Sequence, residues 1–215
     1  MTNKPKKKCI FRRSAMTYLQ ERVLQDIFKD YAKIVNDAGY DLVFMKRVLD
    51  DKDCVNADCG WFKCSPITVT PEWLVKIVLN HNDDELRNAF RFTLGHELAH
   101  KERWCFPVAL TRGGSTYIAQ LNEVYADFGA AKIVADGNRD AMLRSIQYKK
   151  NEYLNKDDTK KDGSHPSWER RERYATYFDF GPELIIEIAK ELGCHGTLVE
   201  KRMLKFYKGY DIKLN

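Results

Sequence analysis

The sequence predicts an α+β fold with a helix at its start, a small sheet next, and helices for most of the remaining chain. Two observations carry that reading. Apolar residues recur at helical spacing over Ser14–Ala38, Leu86–Leu98 and Thr116–Ala135, while short runs rich in β-branched and aromatic residues fall between the first two. At 215 residues and 44% hydrophobic, the chain carries enough apolar side chain for one sizeable core. We therefore expect a basic, flexible tail over residues 1–13 and a single domain over 14–215.

Leu19, Val23, Ile27, Tyr31 and Val35 lie four apart and predict a long amphipathic helix that Gly39 can end. Tyr40–Met45, Gly60–Cys64 and Ile67–Thr70 have strand composition, with turns at Asp50–Asp53 and Asn56–Asp58. Ile67 and Val69 alternate with Thr68 and Thr70, as one buried and one exposed face require. Trp73, Leu74, Ile77 and Val78 suggest a short helical or irregular link. Asn82-Asp83-Asp84-Glu85 offers a cap and an acidic first turn to a helix whose inner face is Leu86, Phe90, Leu94 and Leu98. That helix can run to Trp104, before Pro107 and Gly113-Gly114 break the pattern.

A second helix, about Thr116 to Ala135, turns Ile118, Leu121, Val124, Phe128 and Ala131 inward. Residues 138–164 read as a helix and then an exposed loop. Pro166 suits the first turn of the next helix, with His165 just outside it. Pro182–Leu192 and Thr197–Tyr207 close the chain as two more helices.

Charge and composition exclude several classes. Of the 36 basic residues, Lys4, Lys6, Lys7, Lys8, Arg12 and Arg13 lie in the first thirteen positions with no acid among them, so the remaining 30 nearly balance 31 acidic residues. The net charge of +5 is thus a tail effect and gives no reason to expect nucleic acid as a partner. No apolar run reaches the length of a membrane span, and Met1 to Arg13 lacks the apolar core of a secretory signal, so a soluble, cytoplasmic protein is expected. The six cysteines are then expected as thiols. Cys54, Cys59 and Cys64 recur every five residues, an unusual spacing for a zinc finger, and fit a hairpin better than a second metal site.

The chemistry concentrates in His96-Glu97-Leu98-Ala99-His100. At i and i+4 on one helix, two imidazoles project from the same face and can share one tetrahedral ion. Glu97 beside them is placed to reach a metal-activated water without ligating the ion. The motif still needs a third protein ligand. Glu123 and Asp127 stand at i and i+4 on the following helix, as a ligand and its supporting carboxylate would. Two solvated helix acids can show the same spacing; it is the pairing with His-Glu-x-x-His that favours a ligand. The expected cofactor is one Zn²⁺ per chain on His96, His100 and Glu123.

Three segments in order, His96-Glu97-Leu98-Ala99-His100, Glu123-x-x-x-Asp127 followed by Ala130, and His165-Pro166-Ser167-x-Glu169-x-Arg171, resemble the gluzincin metallopeptidases of the HtpX and CAAX-prenyl-protease type. Their small soluble relatives, the minigluzincins, are the nearest in kind. The resemblance spans roughly Ile67 to Arg171 and implies a zincin-like fold with a small mixed sheet, a motif helix and a third-ligand helix. It implies peptide hydrolysis, with Glu97 as general base, His165 facing the cleft to stabilise the oxyanion, Asp127 supporting a ligand, and Arg171 as structural support or a neighbour of the site. A peptide or protein substrate would bind extended, pairing with Ile67–Thr70 if that strand is a free sheet edge near the metal. The membrane helices of the large family members have no counterpart here.

The ImmA/IrrE-like intracellular metallopeptidases share a similar Phe-Thr-Leu-x-His-Glu-Leu-x-His and a Glu-bearing helix; the His-Pro segment favours the first family. From a different class, a non-catalytic binding module with a structural zinc would use the basic tail instead of Glu97.

Overall fold

The computed structural model describes residues 18–44, 57–59, 66–102, 115–154, 165–209 and 211–215. They belong to two compact units, one up to His81 and one from Asn82 onward. The basic tail, the predicted strand Gly60–Cys64, Cys54 and Cys64, and the loop of Pro107 and Gly113-Gly114 lie outside the described residues.

The first unit contains α1 (Tyr18–Asp37), β1 (Leu42–Phe44), β2 (Ala57–Asp58), β3 (Ile67–Val69) and α2 (Pro71–Leu79). Of the predicted stripe, Tyr31 and Val35, one turn apart, are buried, and the side chains of Leu19, Val23 and Ile27 lie outside those described. The end of α1 is closed as predicted. Gly39 adopts φ +86°, a conformation that costs a residue without Cβ little, and lets Gly39 N–H and Tyr40 N–H reach back to the carbonyls of Asn36 and Val35.

The sheet is mixed, in the order β1-β3-β2, with β3 parallel to β1 and antiparallel to β2. Ile67 and Val69 are fully buried and Thr68 is half-buried, but Thr70, expected on the exposed face, is buried as well. Two further expectations fail here. Ala57–Asp58, expected in a turn, pairs with Thr68–Val69 as a strand. Ile67–Val69 is therefore the central strand, its backbone engaged on both sides, and cannot offer a free edge to a peptide. A run of three residues does not reveal its neighbours, because pairing depends on segments distant in the chain. The link after it is a regular helix, with Pro71 in the first turn and Trp73 and Ile77 buried one turn apart.

The second unit contains α3 (Asp84–Glu102), α4 (Ser115–Ala135), α5 (Arg139–Leu154), α6 (Trp168–Tyr174), β4 (Asp179–Phe180), α7 (Pro182–Glu191), α8 (Leu198–Tyr207) and β5 (Ile212–Lys213). Asp83 caps α3 by accepting from the backbone of Glu85 and Leu86 at 2.9 and 3.1 Å, with Asp84 and Glu85 at the positive end of the helix dipole. Ile118, Leu121, Val124, Phe128 and Ala131 of α4 are all buried, as their spacing requires. They share one core with Met142 and Ile146 of α5 and with Leu184, Ile185 and Ile188 of α7.

Pro166 differs from expectation. Ser167 is the cap of α6, accepting from Arg170 N–H at 3.3 Å, so Pro166 precedes the helix and His165 lies one residue further out. The antiparallel pair β4–β5 is new, and it stitches Phe180 and Ile212 into the core. No helix among the described residues is long and apolar enough to cross a membrane.

Candidate metal centre

α3 and α4 cross on a seam of small residues, and that crossing builds the site. A Cβ placed on Gly129 would stand 2.5 Å from Cβ of Ala99; one on Gly95 would stand 3.0 Å from Val134 Cγ1 and 3.2 Å from Ala130 Cα. The two backbones therefore approach more closely than ordinary side chains allow. His96 and His100, each directly following a seam residue of α3, are brought face to face with Glu123 and Asp127 of α4 as a result. Gly129→Ala, which at an exposed helical site would gain up to about 1 kcal/mol, is expected here to cost about 1–3 kcal/mol by overpacking. A urea melt of the variant shows the sign.

The ligand atoms converge. His96 Nε2 lies 3.0 Å from His100 Nε2 and 3.3 Å from Glu123 Oε2, and His100 Nε2 lies 3.4 Å from Glu123 Oε1. A tetrahedral ion with ligands at about 2.0–2.2 Å separates them by roughly 3.3–3.6 Å, so one ion fits this triangle with little rearrangement. The donor set also fits, since two imidazoles and a carboxylate suit a borderline divalent cation such as zinc. Among the described residues this is the group of His, Cys, Asp and Glu side chains close enough to hold a metal ion.

Behind the ligands stands a chain of charged hydrogen bonds. His96 Nδ1 lies 2.9 Å from Asp127 Oδ1, which makes Nδ1 the donor to the carboxylate and turns Nε2 toward the metal position. Asp127 is itself gripped by both arms of a guanidinium, Arg171 Nε donating to Oδ2 at 2.9 Å and Nη2 donating to Oδ1 at 2.5 Å. Arg171 in turn lies over the ring of Trp168, 4.3 Å from its centroid.

The electrostatics of the metal-free protein favour a cation in the triangle. Burial opposes the charged form of His96, yet its bonds to Asp127 and Glu123 outweigh burial and lift its pKa to about 9. Burial likewise opposes ionisation of Glu123, but His100 and His96 hold its carboxyl well below the usual range. Burial opposes ionisation of Asp127 too, but Arg171, with His96, holds its carboxyl below its ordinary value. Without metal, a proton on His96 supplies the missing positive charge.

Of the sequence-predicted residues, the structure therefore brings together His96, His100, Glu123, Asp127 and Arg171. His165 is at the rim, its side chain about half exposed, with Nε2 3.5 Å from Glu123 Oε1. Glu97 is buried, 8% exposed, one residue beyond His96 on α3. Sequence reasoning misses Gly95, Ala99, Gly129 and Ala130 as site builders, although small residues four apart on α3 and adjacent on α4 are a signal that could find them. Trp168 carries no signal of its own. No family model, curated protein or solved structure matches the chain.

Proposed function

We propose that this chain is a zinc-dependent endopeptidase of the gluzincin type. The observation that carries the reading is the triangle of His96, His100 and Glu123 ligand atoms, built from His-Glu-x-x-His and a carboxylate on the next helix, with Asp127 turning His96 toward it. His165 is not part of that triangle, although its half-exposed ring comes within 3.5 Å of Glu123 Oε1. Three protein ligands with an open fourth position are the pattern of a catalytic zinc; structural sites are closed by four.

Zinc, when bound, supplies a Lewis acid that polarises a carbonyl and brings the pKa of a water near neutrality. The chain's own residues do the rest. Glu97 takes the proton from the attacking water and delivers it to the leaving amine, so the peptide bond is cleaved with no net change in the enzyme. Asp127 keeps His96 in one tautomer throughout and delocalises the charge placed on it. His165 can donate a hydrogen bond to the oxygen that becomes negative as the carbonyl carbon turns tetrahedral. The substrate is a peptide or protein bound in extended form.

The test is Glu97→Gln, purified and zinc-loaded beside the wild type, against a library of quenched fluorescent peptides. The variant is expected to keep one zinc per chain and to lose about 10²–10⁴ in rate. Full activity in the zinc-loaded variant overturns the mechanism. A wild type that holds zinc and cleaves nothing points to the structural-zinc binding module instead.

A further inference from the structure

α6 is only seven residues long, too short to persist as a helix in water without tertiary support. Successive side chains along it are tied to different neighbours. Arg171 grips Asp127 of α4. Glu172 accepts from Gln147 Nε2 and from Lys150 Nζ of α5, both at 2.8 Å. Arg173 and Tyr174 both bond Glu191 of α7, Tyr174 Oη at 2.7 Å. Because consecutive helical residues point about 100° apart, these ties fix the rotation of α6 as well as its position. Glu172 is the member adjacent to the Arg171 fork, and it is half-buried, as is Lys150, so solvent screens the pair only in part.

We infer that Glu172 is a positioning residue for the metal centre: by holding α6 on α5 it sets Arg171 against Asp127, and through Asp127 it orients His96, without touching any ligand. The inference rests on the proposed metal site but not on peptide hydrolysis. A bidentate guanidinium–carboxylate pair tolerates little displacement, so loosening α6 by a fraction of an ångström weakens the fork before it unfolds anything.

The experiment uses the full chain and Co²⁺ as a spectroscopic probe, with affinity measured by competition against a chromophoric chelator and folding followed by circular dichroism. Arg171→Ala is expected to weaken Co²⁺ binding about ten- to hundredfold, as loss of an outer hydrogen-bond partner does. Glu172→Ala is expected to weaken it about two- to thirtyfold and to alter the visible Co²⁺ bands in the same direction. Combined, the two changes should do little more than Arg171→Ala alone, because Glu172 acts through Arg171. Exchanging the partners, Lys150→Glu with Glu172→Lys, should restore binding, since the amide of Gln147 can turn its oxygen to the new lysine.

Wild-type affinity and bands in Glu172→Ala overturn the inference, as do additive losses in the double variant. Should Glu172→Ala not fold, the exchanged pair decides: wild-type binding supports the inference, and binding as weak as that of Arg171→Ala overturns it. A wild type that binds Co²⁺ but cleaves no peptide removes the peptidase reading and leaves this inference standing; a wild type that takes up no Co²⁺ overturns both.

Discussion

Replacing Asp127 by alanine is expected to destabilise the metal-free protein by about 3–5 kcal/mol. The side chain of Asp127 is 3% exposed and that of Arg171 10%, and the carboxylate takes both arms of the guanidinium together with Nδ1 of His96. Removing it leaves a buried cation without its counter-charge and a buried imidazole without its acceptor. The loss should appear as a lower urea midpoint with unchanged slope. Most of the penalty belongs to the stranded guanidinium. Adding Arg171→Met should therefore recover part of the stability, though not the orientation of His96.

The pH dependence has a definite sign. The Asp127 carboxyl is held below its ordinary value, so its contribution is present above the unfolded pKa of about 3.9 and is lost as pH falls through the lower folded value. Wild-type stability should fall on acidification through that range, and the Asp127→Ala variant should lack that part of the fall. His96 works oppositely. Its pKa of about 9 in the folded, metal-free protein lies above the ordinary 6.5, so its stabilisation is complete below about 6.5 and is lost as pH rises through 9.

Glu123→Ala is expected to weaken zinc binding by more than the roughly hundredfold that loss of an outer partner brings, because a ligand itself is removed. The expected remnant is the two-imidazole site of His96 and His100, which a competing chelator should strip readily. Zinc uptake by the wild type at pH 7 to 8 should release about one proton from His96, with a further fraction from the water that zinc acidifies, measurable as a buffer-dependent heat of binding. In Glu123→Ala one of the two carboxylates that raise the His96 pKa is gone, so the released fraction should fall. Zinc affinity equal to the wild type in this variant would remove Glu123 from the ligand set.

Much of this architecture was legible because local rules act locally. Leu121, Val124 and Phe128 fall at helical spacing and are buried; Gly39 ends α1 where its positive φ is needed; Asp83 caps α3 within the acidic run that marked its start. The i, i+4 spacing of His96 with His100, and of Glu123 with Asp127, already put each pair on one face of a helix. What failed were contacts between distant segments. Ala57–Asp58 is a strand because Thr68 and Val69 lie beside it, and β4 pairs with β5 across more than thirty intervening residues. Neither partner can be read from a stretch of two or three residues.

The sequence by itself determined which residues are the candidates: two imidazoles and a glutamate on one helix, two carboxylates on the next, and a His-Pro segment carrying an arginine further on. Only the tertiary structure decided that they meet. The crossing of α3 and α4 is set by the space Gly95 and Gly129 leave open, and it is this that places three candidate ligand atoms 3.0 to 3.4 Å apart, close enough to share one ion. The fork of Arg171 on Asp127 joins residues 44 apart, and its alignment depends on where α5 and α7 hold a helix too short to hold itself. Periodicity records which side of a helix is apolar; the distance and rotation between two helices come from the volumes of side chains at their contact, which are settled only when the whole core packs.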